Sequence, residues 1–328
     1  MPATMTTAVV DRYGPPEDVV QLRTVTTPTP AAGEVLVRVG AASINAADWH
    51  YTTGLPMFAR AGLGLRRPKR SFPGADVAGT VAAIGSGVTS LAVGDRVFGQ
   101  ADGGAFAQYA LLPSAALVRT PDDLEDDAAA TLGIAALTAL QGLRDWGGLQ
   151  PGQRVLVNGA SGGVGTFAVQ IARALGAGHI TAVCSTRNVE TARSLGADLV
   201  VDYTRGDATA LGHRFDLLFD NAGAWSLRSC RRLLTPTGVY VSVTAPKGRW
   251  VRPLPRMIAS RAFFALVPQR GAHSIATSDV DDVRELGRLA GTGAITPVIE
   301  RRWPLAEVAE ALRVQGEFHA RGKHVVIP

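Results

Sequence analysis

The stretch RVLVNGASGGVGTFAVQIARALGAGHITAVC, residues 154–184, decides the fold. Arg154 to Asn158 reads as a short apolar strand, and Gly159 to Gly165 as a turn almost free of side chains. Val164, Phe167, Ala168, Ile171, Ala172 and Leu175 then recur at the spacing of one apolar helix face. Gly176 and Gly178 stop that helix, and His179 to Cys184 form a second β-branched run. A strand, glycine turn, helix and strand closing within about 30 residues is the unit that binds a dinucleotide.

The turn sets the chemistry. A pyrophosphate needs backbone N–H groups aimed at it and the positive end of a helix beneath it, and a loop poor in side chains that enters a helix provides both. Ala160, Ser161, Gly162, Gly163, Val164 and Gly165 are the expected contacts, with Ala160, Gly162 and Gly165 at the three fingerprint positions. The end of the second strand selects the dinucleotide. An NAD site carries an acid there for the ribose 2′-OH, whereas this chain reads Cys184, Ser185, Thr186, Arg187, Asn188, with no carboxylate before Glu190. A hydroxyl and a guanidinium attract a 2′-phosphate, so NADPH is the expected cofactor. Ser185 and Asn188 equally suit the cap of the next helix, and Arg187 a solvated surface, so both alternatives stay open.

Outward from this unit, Asn188 to Leu195 reads as a helix and Asp198 to Val201, Phe215 to Asp220 and Val239 to Val243 as strands. Strands alternating with helices predict an α/β, doubly wound parallel sheet that binds its ligand at the strands' C-terminal edge. Residues 246–271 mix basic side chains with prolines and read as a substrate-proximal flap or oligomer contact. Helices are expected at Val280 to Ala290 and Leu305 to Val314, and a last strand at His324 to Ile327. Toward the N-terminus, Val35 to Val39, Ala75 to Ile84, Val93 to Gly99 and Ala105 to Leu112 are strands separated by turn residues, the texture of a partly closed barrel. Ala128 to Leu143 reads as one long helix.

Composition bounds the rest. At 328 residues and 46% hydrophobic content the chain is long enough for two domains with a sizeable core. No apolar run has the length of a membrane span, and MPATMTTAVVDRYG has no basic region leading into an apolar core. Cys184 and Cys230, the two cysteines, lack a metal-ligand spacing, and cytoplasm is the expected location. The net charge of +5 gathers partly at Arg60, Arg66, Arg67, Lys69 and Arg70 and at Lys247, Arg249, Arg252, Arg256 and Arg261. Such clusters are ordinarily solvated surface; a functional role would mean RNA, or an acidic handle such as coenzyme A or an acyl carrier protein.

The segments GEVLVRVGAASINAADW (33–49), PGADVAGTVAAIGSGV (73–88), VGDRVFG (93–99), GIAALTALQGL (133–143), PGQRVLVNGASGGVG (151–165), SLGADLVVDY (194–203) and FDLLFDNAG (215–223) together resemble the medium-chain dehydrogenase/reductase superfamily, in its zinc-free quinone oxidoreductase branch. The resemblance implies a Rossmann NADPH-binding domain at 121–294 and a chaperonin-10-like (GroES-like) catalytic domain from 1–120 and 295–328, usually as a homodimer. It implies Thr138 near the nicotinamide ribose, Ser185, Arg187 and Tyr203 at the 2′-phosphate, and Asn221 and Ala222 along the cofactor. Val243, Thr244 and Lys323 are looser matches to cofactor positions. Zinc-dependent relatives carry Cys where this chain has Asn45, and His with Glu near Gly74 and Asp76, so no metal is expected.

The expected reaction is hydride transfer to a quinone or to the β-carbon of an α,β-unsaturated carbonyl, with negative charge developing on the acceptor's oxygen. Asn45 and His50 are the candidate catalytic residues; Asp48 reads as a capping acid, and Trp49 and Tyr51 as pocket walls. Two other classes remain open: an enoyl reductase for carrier-bound or coenzyme A thioesters, hinted at by the basic clusters, and an NADPH-binding protein with an RNA-binding or structural role, the less favoured partner being nucleic acid.

Overall fold

The computed structural model describes residues 2–243, 253–273, 276–317 and 320–328, with the side chains of all of these except 253–257. Its residues gather into two compact units, one of Met1–Ile134, Ser278–Gly293 and Ile299–Pro328, the other of Ala135–Thr277 and Ala294–Val298.

The second unit is built on six strands in the order Leu199–Asp202, His179–Cys184, Arg154–Asn158, Phe215–Asp220, Leu234–Ser242 and Arg270–His273. Every neighbouring pair is parallel. Numbered along the chain the order is 3-2-1-4-5-6, that of the dinucleotide-binding sheet, with its switch point between Arg154–Asn158 and Phe215–Asp220. Val155, Leu156 and Val157 are all fully buried, as a strand covered on both faces requires.

One expectation is corrected in the segments flanking this sheet and another is given a structure. From Pro253 on, the segment 246–271, read as a substrate-proximal flap or oligomer contact, is the last crossover of the sheet: a helix at Pro253–Ala265 leads into the edge strand Arg270–His273. Phe264 stacks on Tyr240 at 5.2 Å, and a Cβ on Gly271 would lie 2.7 Å from the Phe264 ring, so the helix packs down on the strands. Residues 246–252, with Lys247, Arg249 and Arg252, lie outside the described residues. The single helix expected over Ala128 to Leu143 is broken into Asp126–Ala130, Ile134–Gln141 and a wider π-type turn at Gly142–Trp146. The first break has a chemical cause: the Ile134 N–H donates to the Asp76 carboxylate at 3.0 Å, and a Cβ on Gly133 would lie 2.1 Å from Asp76 Oδ1.

In the first unit, one sheet runs Ile299–Pro304, Lys323–Ile327, Glu34–Ile44, Asp76–Ile84, Arg96–Gln100 and Leu117–Arg119, with Tyr109–Pro113 also pairing onto Glu34–Ile44. Only the pairing of the two C-terminal strands is parallel. A separate hairpin joins Thr4–Val10 to Val20–Thr26. The strand expected from Ala105 begins only at Tyr109, because Gly103 and Gly104 take positive φ and the Ala105 and Phe106 N–H groups turn back to the Gly74 and Pro73 carbonyls. Val37, Phe106, Leu112, Trp303 and Leu312 lie in its core. Among the described residues no helix is long and apolar enough to cross a membrane.

Candidate functional site

In the second unit the glycine turn has the form a pyrophosphate needs. Gly159 sits at φ +83°, and the Gly159 and Ala160 N–H groups both donate to the Val183 carbonyl, at 3.1 and 3.0 Å. A Cβ on Gly165 would lie 2.1 Å from the Gly159 oxygen and 2.7 Å from Ala160 Cα, so the helix Gly163–Ala174 starts in direct contact with the turn. Gly162 is the helix N-cap and no side chain caps it, leaving that positive end to an anion. The tight turn is thus made by Gly159, one residue before the fingerprint position assigned to Ala160, which is buried. Ser161, Gly163 and Val164 are half-buried around the helix start. This cradle fits a dinucleotide, because a Cβ at its closest contacts would collide with backbone.

The floor of the switch point is a buried carboxylate that sequence reasoning left as a strand end. Asp220 accepts from Asn158 Nδ2 at 2.8 Å, from the Tyr240 hydroxyl at 2.9 Å and from the Gly223 N–H at 2.8 Å. It therefore ties three strands to the loop that carries Asn221 and Ala222. Asn221 Nδ2 reaches the Gly159 carbonyl at 3.4 Å, and the Val243 N–H donates to the Asp220 carbonyl at 3.1 Å, so both flank the turn's side of the sheet. Thr138 is half-buried on the helix Ile134–Gln141. Thr244 lies outside the described residues.

At the end of the strand His179–Cys184, Ser185 is half-buried and accepts from Asn188 Nδ2 at 3.0 Å, so it does act as a local cap. Arg187 and Tyr203 are exposed nearby in sequence order, Tyr203 with its N–H on the Cys184 carbonyl at 3.1 Å. The structure adds Asp202, which pairs level with Cys184 from the adjacent strand. Its carboxyl accepts from the Thr186 and Thr204 hydroxyls at 2.6 and 2.7 Å, with Arg205 at 3.6 Å, and the Thr186 bond leads in holding it below the usual carboxylate range. Burial, then the Asp202 charge, lifts the Cys184 thiol to about 11, which leaves it unreactive.

The first unit contains a buried polar cluster. The Lys323 ammonium, 2% exposed, donates to the Ile44 carbonyl at 3.0 Å and to Asn45 Oδ1 at 2.5 Å. Asn45 Nδ2 donates to Asp76 Oδ2 at 2.8 Å, and the Asn45 N–H to Asp48 Oδ2 at 2.8 Å. Burial lowers the Lys323 pKa, and burial followed by the Asp76 charge raises that of Asp48 to about 7. Asn45 is therefore an organiser of the cluster, with its amide oxygen and nitrogen both engaged. His50 Nδ1–H donates to the Leu55 carbonyl at 2.6 Å, its ring meets Trp49 edge-on at 5.1 Å, and burial lowers its pKa, so it is neutral at physiological pH. Sequence reasoning missed Lys323 as a member of this cluster, since its partners lie 278 or more positions away.

Two family patterns match the chain: "Alcohol dehydrogenase GroES-like domain" over residues 31–122 and "Zinc-binding dehydrogenase" over residues 195–326. The chain is 33% identical to the mitochondrial NAD(P)H oxidoreductase RTN4IP1 of Mus musculus, over 97% of this chain and 88% of that protein. It is 33% identical to the trans-enoyl reductase pgmF of Aspergillus terreus, over 89% of this chain and 86% of that protein. The solved quinone oxidoreductase of Coxiella burnetii superposes with a TM-score of 0.85 at 26% identity, over 99% of each chain. Where zinc-dependent relatives carry ligands, this chain presents Asn45, Gly74 and Asp76 with an ammonium already bonded to Asn45, a donor set that does not fit zinc. The two-part architecture, the dinucleotide cradle and these likenesses agree, and the chain belongs to the medium-chain dehydrogenase/reductase superfamily as a quinone oxidoreductase-like oxidoreductase that uses a nicotinamide cofactor.

Proposed function

We propose that the protein is an NADPH-dependent, metal-independent reductase of quinones or of the carbon–carbon double bond of α,β-unsaturated carbonyl compounds. The observation that carries this is the anion-ready helix start at Gly162–Gly165 followed, at the end of the strand His179–Cys184, by Ser185 and Arg187 in place of a ribose-binding acid, with Tyr203 just past the adjacent strand Leu199–Asp202. The nicotinamide, when bound, supplies hydride; the protein's part is to position, polarise and exclude water. In this reading the second unit holds the cofactor through Thr138, the turn 160–165, Ser185, Arg187, Tyr203, Asn221, Ala222 and Val243. Asp202 does not cancel the preference, since hydroxyls and Arg205 meet its charge. The first unit handles the acceptor's oxygen, with Asn45 organising the polar cluster and His50, whose one ring proton is held by the Leu55 carbonyl, donating through Nε2 only when that nitrogen is also protonated. Unchanged turnover in His50→Phe would remove His50 from this role. A cytoplasmic homodimer completes the proposal, to be checked by light scattering and cell fractionation.

The test is a screen of NADPH oxidation over quinones, enones, aldehydes and enoyl thioesters; turnover of quinones or enones is expected, and aldehyde-only turnover contradicts the reading. One observation favours a second reading, reduction of coenzyme A or carrier-bound enoyl thioesters. Arg66, Arg67 and Lys69 are exposed beside Leu65, itself 75% exposed, and make no ion pair among the described residues. Such a surface suits a phosphate-bearing handle. Neutralising Arg66 and Arg67 should then raise KM for the thioester and leave that for a free enone unchanged.

A further inference from the structure

Asp48, Asp76 and Lys323 are 3%, 0% and 2% exposed and share Asn45 as a common neighbour. Two carboxylates facing one ammonium leave an unbalanced negative charge in a volume shut off from water, and burial of such a charge is costly. One bound proton restores neutrality. The two acids are not equivalent sites for it. Asp76 accepts from Ser43 Oγ, Asn45 Nδ2, Gln100 Nε2 and the Ile134 N–H, a set of donors that suits a carboxylate. Asp48 takes the Asn45 N–H through Oδ2.

Asp48 also lines a cleft of about 30 Å³, large enough for a water molecule. Its other walls include Thr52, Gly74 and Ala75, and the more exposed Tyr51, Arg70, Phe72 and Asp102. Arg70 bridges to Asp102 at 3.1 Å and lies over the Tyr51 ring at 5.9 Å. The charged groups facing Asp48 are thus Asp76 and Lys323 on the inner side, and Arg70 with Asp102 at the cleft.

We propose that Asp48, Asp76 and Lys323 form a buried unit that holds one exchangeable proton on Asp48, reached from solvent through the Arg70–Asp102 cleft, and that Asp48 is a positioning residue whose proton keeps this unit neutral during reduction. The kinetic half rests on the reductase reading. Each hydride added to the acceptor is matched by one proton taken up from water, and negative charge grows on the acceptor's oxygen before that proton arrives. A neutral unit tolerates that charge; an ionised Asp48 adds a like charge and opposes it.

The test starts with the cofactor-free protein, so it does not depend on the reductase reading. Infrared difference spectra of carboxyl-labelled protein should show one protonated carboxyl in buried surroundings that disappears between about pH 6 and about pH 8. Its midpoint should fall in Asp76→Asn, which removes a like charge, and rise in Lys323→Met, which removes the neighbouring cation. The wild-type spectrum decides even if a variant fails to fold: no protonated carboxyl at about pH 6, or one still present at about pH 9, overturns the proposal. In turnover, the wild-type rate should drop about tenfold across the same window, and Asp48→Asn should lose that dependence at whatever rate it retains. A titrating carboxyl with pH-independent turnover overturns the kinetic half alone. A protein that titrates but never oxidises NADPH overturns the reductase reading and leaves the proton-holding unit standing.

Discussion

In the proposed function, Arg187 is the residue on which cofactor choice turns. A charged hydrogen bond is worth about 1.5–3 kcal/mol, so Arg187→Ala should weaken NADPH binding about tenfold to a hundredfold and leave NADH within error, read by fluorescence titration. Gly165 makes a different kind of contribution. A Cβ there meets the Gly159 carbonyl at 2.1 Å, so Gly165→Ala should cost about 1–3 kcal/mol of stability, seen as a lower urea midpoint together with lost cofactor binding. Asp48 gives a pH signature. Its folded pKa of about 7 lies above the ordinary carboxyl value of 3.8, so the native state binds the extra proton. The stability this contributes is complete below about pH 4 and is lost as pH rises through about pH 7. Asp48→Asn, which never ionises, should narrow the gap between urea midpoints at about pH 5 and about pH 8. At this scale the sequence showed the glycine turn but not which of its residues bends it. Gly159, outside the three fingerprint positions, takes the positive φ of +83°, and nothing in the local composition separates it from the glycines at 162, 163 and 165. Asp202 reads in the sequence only as a strand end, for a related reason: it is level with Cys184 on the neighbouring strand, 18 residues on, a pairing that no pattern within one strand shows.

Among the elements, those with local periodicity were readable and those fixed by a distant partner were not. The helix Gly163–Ala174 and the strands beside it follow from spacing within one segment. The long helix expected over Ala128 to Leu143 failed because a carboxylate 58 positions away captures the Ile134 N–H, a contact that helix propensity cannot anticipate. Pro253–Ala265 and Arg270–His273 went unread for the opposite reason: prolines and basic residues hid a crossover whose packing rests on Phe264 and Tyr240. The switch point depends on Asp220. Asp220→Ala would remove the buried acceptor shared by the Asn158 amide, the Tyr240 hydroxyl and the Gly223 N–H, a loss of about 3 kcal/mol or more. The expected result is a lower melting temperature and weakened binding of both NADPH and NADH; selective loss of NADPH alone would contradict its placement under the shared part of the cofactor.

At the scale of the whole molecule, the order of family segments along the chain made the two-part architecture readable, since each unit draws on long stretches with their own hydrophobic pattern. What order could not show was the cluster around Lys323, which the first unit assembles from both ends of the chain. That cluster places an ammonium beside Asn45, and prolonged dialysis against a zinc chelator should leave turnover unchanged; a chelator-sensitive, zinc-restored rate would contradict the metal-independent account. The proposed function requires the protein to take a phosphorylated nicotinamide coenzyme at the turn 159–165 and the strand end after Cys184. Equilibrium titration of the purified protein with NADPH and with NADH, in the same low-salt buffer, tests this most directly. NADPH binding tighter by about tenfold or more is the predicted result, and equal affinity for the two, or no saturable binding of either, would contradict it.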